Sequence, residues 1–303
     1  MRNQILLYYK YVAVADPEQF MHEQLALCKK LGLKGRIIIA KEGINGTVEG
    51  LEEKTEEYMR ALTADTRFAD IHFKKSEGDG KTFPRISVRV RSEIVTLGAG
   101  ERDVNPAEFT AQYVTAQELH EWIHGPNKRE VYIVDMRNDY EYRVGHFQNS
   151  IFPGLTNFRD LPELLPKIEH LRGKTVVTVC TGGVRCEKAS GFLLKAGFKD
   201  VYQLFGGIVT YMERYPNQDF LGALYVFDGR ITMAFNSSEH PHVIVASCDK
   251  CGAPSEQYVN CGNDACHKHF ICCESCSAEK LRPFCSLSCR LIAKYLPFRF
   301  SLK

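Results

Sequence analysis

The 303-residue sequence has little net charge: 39 lysines and arginines against 37 aspartates and glutamates leave +2 with histidine neutral. That excludes a whole-molecule field able to draw in nucleic acid or an acidic membrane, so any such partner has to be met by local patches. Long apolar runs are also missing. A membrane-spanning helix takes about 20 predominantly apolar residues, whereas the longest comparable stretch here, Leu221 to Phe227, stops at Asp228, and no membrane partner is expected. The opening MRNQILLYYKYVAVA is interrupted by Lys10 and lacks the apolar core and small-residue cleavage site of a secretion signal, which makes the cytoplasm the expected compartment. There is no long internal repeat and no extended low-complexity segment. Nor is cysteine spread as a disulfide framework, because nine of the twelve lie between Cys248 and Cys289. What remains, with 44% apolar and 25% charged residues, is the composition of a globular chain of two or three domains.

The first hundred residues alternate β-rich and amphipathic helical runs. Ile5 to Val14 reads as a strand. Asp16 caps a helix with Pro17 at its first position and Gly32 at its end. Arg36 to Ala40 is a second strand, and Glu42 to Gly46 has the residues of a tight turn leading into a third at Thr47 to Glu49. A helix from Leu51 to about Leu62 and a strand over Ile71 to Lys75 complete a βαββαβ order, which predicts a ferredoxin-like (acylphosphatase-like) α+β sandwich over residues 1–98. Ile86, Val88 and Val90 then alternate with Arg85, Arg89 and Arg91 in a strand with one basic face. A solvated face and a phosphate-contacting surface are equally good readings of it. Gly43, Asn45 and Gly46 are either a structural hairpin or a backbone surface near a substrate.

A Gly- and Pro-bearing linker from Gly98 to Pro106 precedes a second β/α segment, expected as an α/β parallel-sheet domain over residues 110–217. A helix is predicted over Ala116 to His124, a strand over Val131 to Val134, and a strand buried on both faces over Val176 to Val179. That last strand ends at Cys180, a glycine-bearing turn follows, and the helical pattern resumes at about Cys186. A cysteine at the carboxyl end of such a strand sits where open α/β sheets bind ligands. Loop amides and a helix N-terminus favour an anion there, and Arg185 adds a full positive charge. These conditions lower a thiol pKa and make Cys180 the candidate nucleophile. Cys186 is either a small residue packed in the first helical turn, the preferred reading, or a second thiol that resolves an oxidised or persulfidated Cys180.

Here the chain resembles the rhodanese family. Cys180, Thr181, Gly182, Gly183, Val184 and Arg185 match its six-residue active loop. Asp135, Arg137, Glu141, Gly145 and His146 look like its upstream signature, and Gly206 and Gly207 like its closing double glycine. Asn149 replaces the family's usual glycine, and Tyr211 stands where tryptophan is common. In the related cysteine-dependent phosphatases the arginine stands one residue further on; the tighter ring here suits a single bound sulfur. The resemblance thus implies a persulfide or another small sulfur-centred species at Cys180.

Residues 218–303 form a cysteine-rich region. Cys248 with Cys251, Cys261 with Cys266, Cys272 or Cys273 with Cys276, and Cys285 with Cys289 are the close pairs expected of two structural tetrahedral zinc sites, with His267 and His269 as alternative ligands. Which pairs share an ion does not follow from spacing. Beyond them, Lys280, Arg282, Arg290, Lys294, Arg299 and Lys303 face only Glu279, a second basic patch that adds to the case for an RNA partner.

The KEGINGT segment, the CTGGVRCEKAS loop and the cysteine-rich end together resemble the bacterial rhodanese-type tRNA uridine hydroxylases over essentially the whole chain. The resemblance implies oxygen-dependent hydroxylation of the wobble uridine of tRNA at C5, with molecular oxygen as co-substrate and Cys180 as the essential residue, and no DNA partner. Two other functions stand beside it, and the loop chemistry fits the first equally well. One is sulfur transfer from thiosulfate or a protein sulfur donor, and the other is a zinc-stabilised RNA-binding adaptor with a vestigial site.

Overall fold

A computed structural model describes residues 2–126, 128–235, 237–266, 268–278 and 283–295. The chain divides into two compact units. One contains Met1–Asp139, Asn149–Arg214 and Phe227–Arg230, and the other Tyr140–Gln148, Tyr215–Val226 and Ile231–Lys303.

The first unit begins with β1 (Asn3–Tyr11), α1 (Pro17–Lys30), β2 (Lys34–Ala40), β3 (Gly43–Leu51), α2 (Glu52–Thr63), β4 (His72–Gly78) and β5 (Ile86–Val90). This is the expected ferredoxin-like order with one strand added. The sheet runs β4-β1-β3-β2-β5, antiparallel except for β5, which pairs parallel with β2. The Asp16 carboxylate accepts a hydrogen bond from the Gln19 N–H and starts α1 with Pro17 in its first turn. Alternation sends Leu6, Tyr8, Ile37, Ile39 and Val48 to one face, where they pack with Phe20, Cys28, Tyr58 and Leu62 of the two helices.

The turn between β2 and β3 is shorter than the sequence suggests. Ala40 pairs with Gly43, so only Lys41 and Glu42 turn, and Gly43, Asn45 and Gly46 lie in the central strand. The glycines serve close packing. Gly43 has φ +146° with the Lys10 carbonyl where a side chain would be, and Gly46 lies under the Tyr8 ring.

The second sheet of this unit is parallel throughout, in the order β6-β10-β9-β7. Its strands are β6 (Gln112–Val114), β7 (Val131–Asp135), β9 (Thr175–Val179) and β10 (Asp200–Leu204), with α3 (Ala116–His124), the short α5 (Leu161–Leu164), α6 (Val184–Lys195) and α7 (Gly207–Arg214). This is the α/β domain read from the alternating pattern. Thr115 and Glu118 form a reciprocal capping box at the start of α3. The core joins Val134, Met136, Val176, Ala189, Phe192 and Leu193.

The second unit takes α4 (Asp139–Val144, from Tyr140 on) and β8 (Gly145–Phe147), the latter antiparallel to β11 (Phe220–Gly222). Two further hairpins follow, β12 (Leu224–Tyr225) with β13 (Thr232–Met233) and β14 (Tyr258–Asn260) with β15 (His269–Ile271), then α8 (Glu274–Ala278) and α9 (Leu287–Tyr295). Val144, Ala223, Ala246, Tyr258 and Ile271 form its apolar core. Among the described residues no helix is long and apolar enough to cross a membrane.

Candidate active site and cysteine clusters

Cys180 follows the buried strand β9, and its loop reverses into α6 through Gly183, which has φ +102°. The loop carbonyls turn outward: those of Cys180 and Thr181 accept from the Ile208 and Val209 N–H groups at the start of α7, at 2.9 and 3.1 Å. The amides are thereby free to face the sulfur, and the Gly183 N–H donates to Cys180 Sγ at 3.2 Å. Gly207, also at positive φ, lies so close to the loop backbone that a methyl group would sit 2.7 Å from the Gly183 nitrogen. Gly207, the second of the double glycine, is therefore what allows α7 to hold the loop.

Cys180 is completely buried, which by itself opposes ionisation. The Cys186 side chain, the Arg185 charge and the Cys186 and Arg185 amides outweigh burial and bring its pKa from 9.0 down to about 6. Cys186 moves the other way. Burial and the neighbouring Cys180 charge push its thiol well up, so Cys186 keeps its proton and donates it toward Cys180. Arg185 Nη2 reaches Thr181 Oγ1 at 3.4 Å, and its guanidinium lies 5.7 Å from the centre of the Phe227 ring.

The face of the first sheet that carries no helices covers this loop. A methyl group on Gly182 would stand 3.0 Å from Leu7 Cδ2, and one on Gly183 2.8 Å from Tyr9 Oη. Tyr11 Oη donates to the Val184 carbonyl at 3.2 Å. Glu187 of α6 is a collecting point, accepting from Tyr9 Oη at 2.9 Å, Tyr113 Oη at 2.7 Å and Gln203 Nε2 at 3.1 Å. Beside Tyr9 stands Lys74, buried, with Nζ 5.2 Å from the ring centre. Tyr9, Lys74, Glu187 and Tyr113 were not singled out by the sequence reading. Two-residue alternation does place Leu7, Tyr9 and Lys74 on one face, but nothing local says that this face meets a loop more than a hundred residues away.

The other sequence-derived positions divide. The cross-strand row His72, Tyr9, Asn45, Ile38, Arg89 runs over the same open face. Asn45 thus neighbours Tyr9, and its amide donates to the Ile94 carbonyl at 3.2 Å. Gly43 and Gly46 are buried strand positions. Arg85, Arg89 and Arg91 are exposed, at the β5 side. Arg89 lies three strands from Tyr9, or about 14 Å at ~4.8 Å per strand. In the upstream signature, Asp135 and Arg137 form a fully buried ion pair at 2.7 Å. Asn149 has φ +57°, a conformation that asparagine tolerates better than most residues, which explains how it can stand in for glycine. Tyr211 is buried, with its hydroxyl 3.2 Å from His120 Nδ1.

In the second unit the close cysteine pairs interleave. Cys248, Cys251, Cys273 and Cys276 form one set and Cys261, Cys266, Cys285 and Cys289 the other, with the sulfurs of each set all within 4.8 Å of one another. Neighbouring sulfurs such as Cys251 and Cys273 lie 3.6 Å apart, and Cys266 and Cys285 3.7 Å. A tetrahedron of Zn–S bonds has edges of about 3.8 Å, so both sets fit that ion. Each set is filled by sulfur alone. His269 instead lies against Tyr258, with ring centres 4.6 Å apart and the planes tilted by 39°. Cys272 is buried in the cluster's core, and burial raises its thiol pKa. His267, Glu279, Lys280, Arg282, Arg299 and Lys303 lie outside the described residues.

Residues 3–94 match the UPF0176 acylphosphatase like domain, residues 115–214 the Rhodanese-like domain and residues 221–290 the Rhodanase C-terminal domain. Curated proteins named tRNA uridine(34) hydroxylase align over nearly the whole chain. Those of Bacillus cytotoxicus and Bacillus licheniformis are each 48% identical, over 95% of this chain and 87% of that protein in the first case and 96% and 90% in the second. The chain belongs to the tRNA uridine(34) hydroxylase family. A Bacillus pumilus relative, 48% identical over 94% of this chain and 88% of its own, carries the same name.

Proposed function

We propose that this protein hydroxylates the wobble uridine of tRNA at C5 in the cytoplasm, with molecular oxygen as the source of the added atom, a two-electron reductant taking the second oxygen atom to water, and Cys180 as the nucleophile. The observation that carries the reading is the buried Cys180 sulfur at the end of β9, which accepts the Gly183 N–H at 3.2 Å where the loop turns into α6, surroundings that bring its pKa down to about 6. Uracil C5 becomes electron-rich when a thiolate adds to C6, and Cys180 is suited to that addition, with Arg185 placed to stabilise the negative charge that develops. Asn45 and the exposed Arg85, Arg89 and Arg91 belong to the substrate-binding face in this reading. Thr181, Gly182, Gly183 and Val184 shape the amide ring, and Cys186 serves as hydrogen-bond donor to the thiolate. The working division is 1–98, 110–217 and 218–303, with zinc holding the last segment through the two cysteine sets.

The test is mass spectrometry of tRNA from cells carrying Cys180→Ala. Hydroxyuridine is expected to vanish. Normal hydroxyuridine together with lost sulfur transfer from thiosulfate would instead assign the loop to sulfurtransferase chemistry. A second check uses tRNA bearing 5-fluorouridine, which is expected to form a covalent adduct that requires Cys180; intact RNA and protein would refute C6 addition.

A further inference from the structure

Lys74 is a buried cation without a conventional partner. It is only 7% exposed. Among the described residues its Nζ makes no hydrogen bond and no ion pair, and the face of Tyr9 is what it touches. A lysine in that position is costly unless something nearby compensates for the lost hydration. The register shows where it stands: Lys74 is paired directly with Leu7, and Leu7 and Tyr9 are the two side chains lying against Gly182 and Gly183 of the Cys180 loop. The sheet face that covers the nucleophile therefore carries one buried amine.

We propose that Lys74 is a charge partner of the Cys180 thiolate, a positioning residue that the first sheet supplies to the rhodanese loop. No bond forms between them: when the Cys180 S–H proton leaves to solvent and the electron pair stays on sulfur, the Lys74 ammonium stabilises the resulting thiolate across the low-dielectric space they share. When sulfur then forms a bond and gives up its charge, the ammonium loses its counter-charge and its pKa falls.

The surrounding groups agree in sign. Burial lowers the Lys74 pKa to about 8, while Cys180, Glu213 of α7 and Glu187 of α6 act to raise it. On its own strand, His72 is held down first by burial and then by the Lys74 charge. With Cys180 at about 6 and Lys74 at about 8, the thiolate–ammonium form is the main one between those values. The pairing rests on no particular reaction and holds whether the site hydroxylates RNA or moves sulfur.

Linkage supplies the test, because a coupling between two groups must appear equally at both. In the full-length protein, the Lys74 titration is followed by NMR of a 13C-labelled lysine ε-carbon, in the parent and in Cys180→Ser. The Cys180 titration is followed by thiolate absorbance, with Cys180→Ser as the baseline, in the parent and in Lys74→Met and Lys74→Arg. The Lys74 midpoint is expected to fall in Cys180→Ser. The Cys180 midpoint should rise by the same amount in Lys74→Met, by about one pH unit or a tenfold change in ionisation ratio, and stay low in Lys74→Arg. Midpoints that do not move, or that move at one partner alone, overturn the proposal. Should Lys74→Met fail to fold, the Cys180→Ser arm still decides, since it leaves Lys74 in place. Neither titration uses RNA, so a wrong assignment of the substrate leaves this result standing.

Discussion

At the scale of single residues, the reactive centre turns on which of two buried sulfurs keeps its proton. Cys180 receives amides and the Arg185 charge, whereas Cys186 receives burial and the Cys180 charge, and so the two thiols separate. If the thiolate is the working form, activity is half-lost near pH 6 and falls about tenfold for each further unit of acidity. Arg185→Met removes one of the stabilising charges, and the acid limb of a pH–rate profile is expected to move toward the ordinary thiol value. An unmoved limb in a folded variant would show that the amides and Cys186 suffice. Cys180 and Arg185 were legible in the sequence because their chemistry is local: strand end, glycines and guanidinium lie within six residues. Cys186 was read as packing because a donor role needs a direction, and spacing carries none. Lys74 and Tyr9 were illegible because only tertiary docking brings them to the loop.

At the scale of elements, the strand–loop–helix unit is held from outside as well as from within. Lys188 on α6 is fully buried and reaches Glu42 at 2.9 Å and Glu93 at 2.6 Å, with Asp103 at 3.5 Å. One lysine thus gathers the β2–β3 turn, the segment after β5 and the linker onto the helix that follows the nucleophile. Burial alone would lower its pKa, but the hydrogen bonds to Glu42 and Glu93 prevail and raise it. Lys188→Met strands carboxylates rather than simply deleting a contact, and a loss of about 3 kcal/mol is expected in denaturant unfolding. Retained stability would mean that water reaches the acids freely. Gly207→Ala should cost catalysis before stability, because the colliding atoms are the loop backbone itself. Its measurement is the thiolate midpoint of Cys180, expected to rise as the amides are displaced. The period-two and helical patterns gave β1, α1, β2, α2 and β4 their places. The misread stretch was Gly43–Gly46, where glycines that usually announce a turn instead let β3 lie close against β1.

At the scale of the whole chain, the cysteine-rich unit has, among the described residues, a small apolar cluster around Val144, Tyr258 and Ile271, and metal binding is the natural supplement. The sequence showed four pairs but not their partners, since an interleaved and a consecutive pairing have the same spacings. The structure joins the first pair to the third and the second to the fourth, so each set encloses a pair belonging to the other. A consecutive arrangement would give two independent sites; an interleaved one cannot fill either without folding the segment that carries half of the other. Structural zinc contributes on the order of 10 kcal/mol of apparent binding free energy, which is folding free energy when the site does not exist beforehand. Full-length protein should therefore carry two zinc ions by elemental analysis. Cys248→Ser, although it touches one set, should lower the content below one and expose the second unit to proteolysis. A Cys248→Ser protein that retains one full equivalent of zinc and resists protease would show the two sets to be independent, and the interleaving would then be a matter of chain path with no energetic consequence.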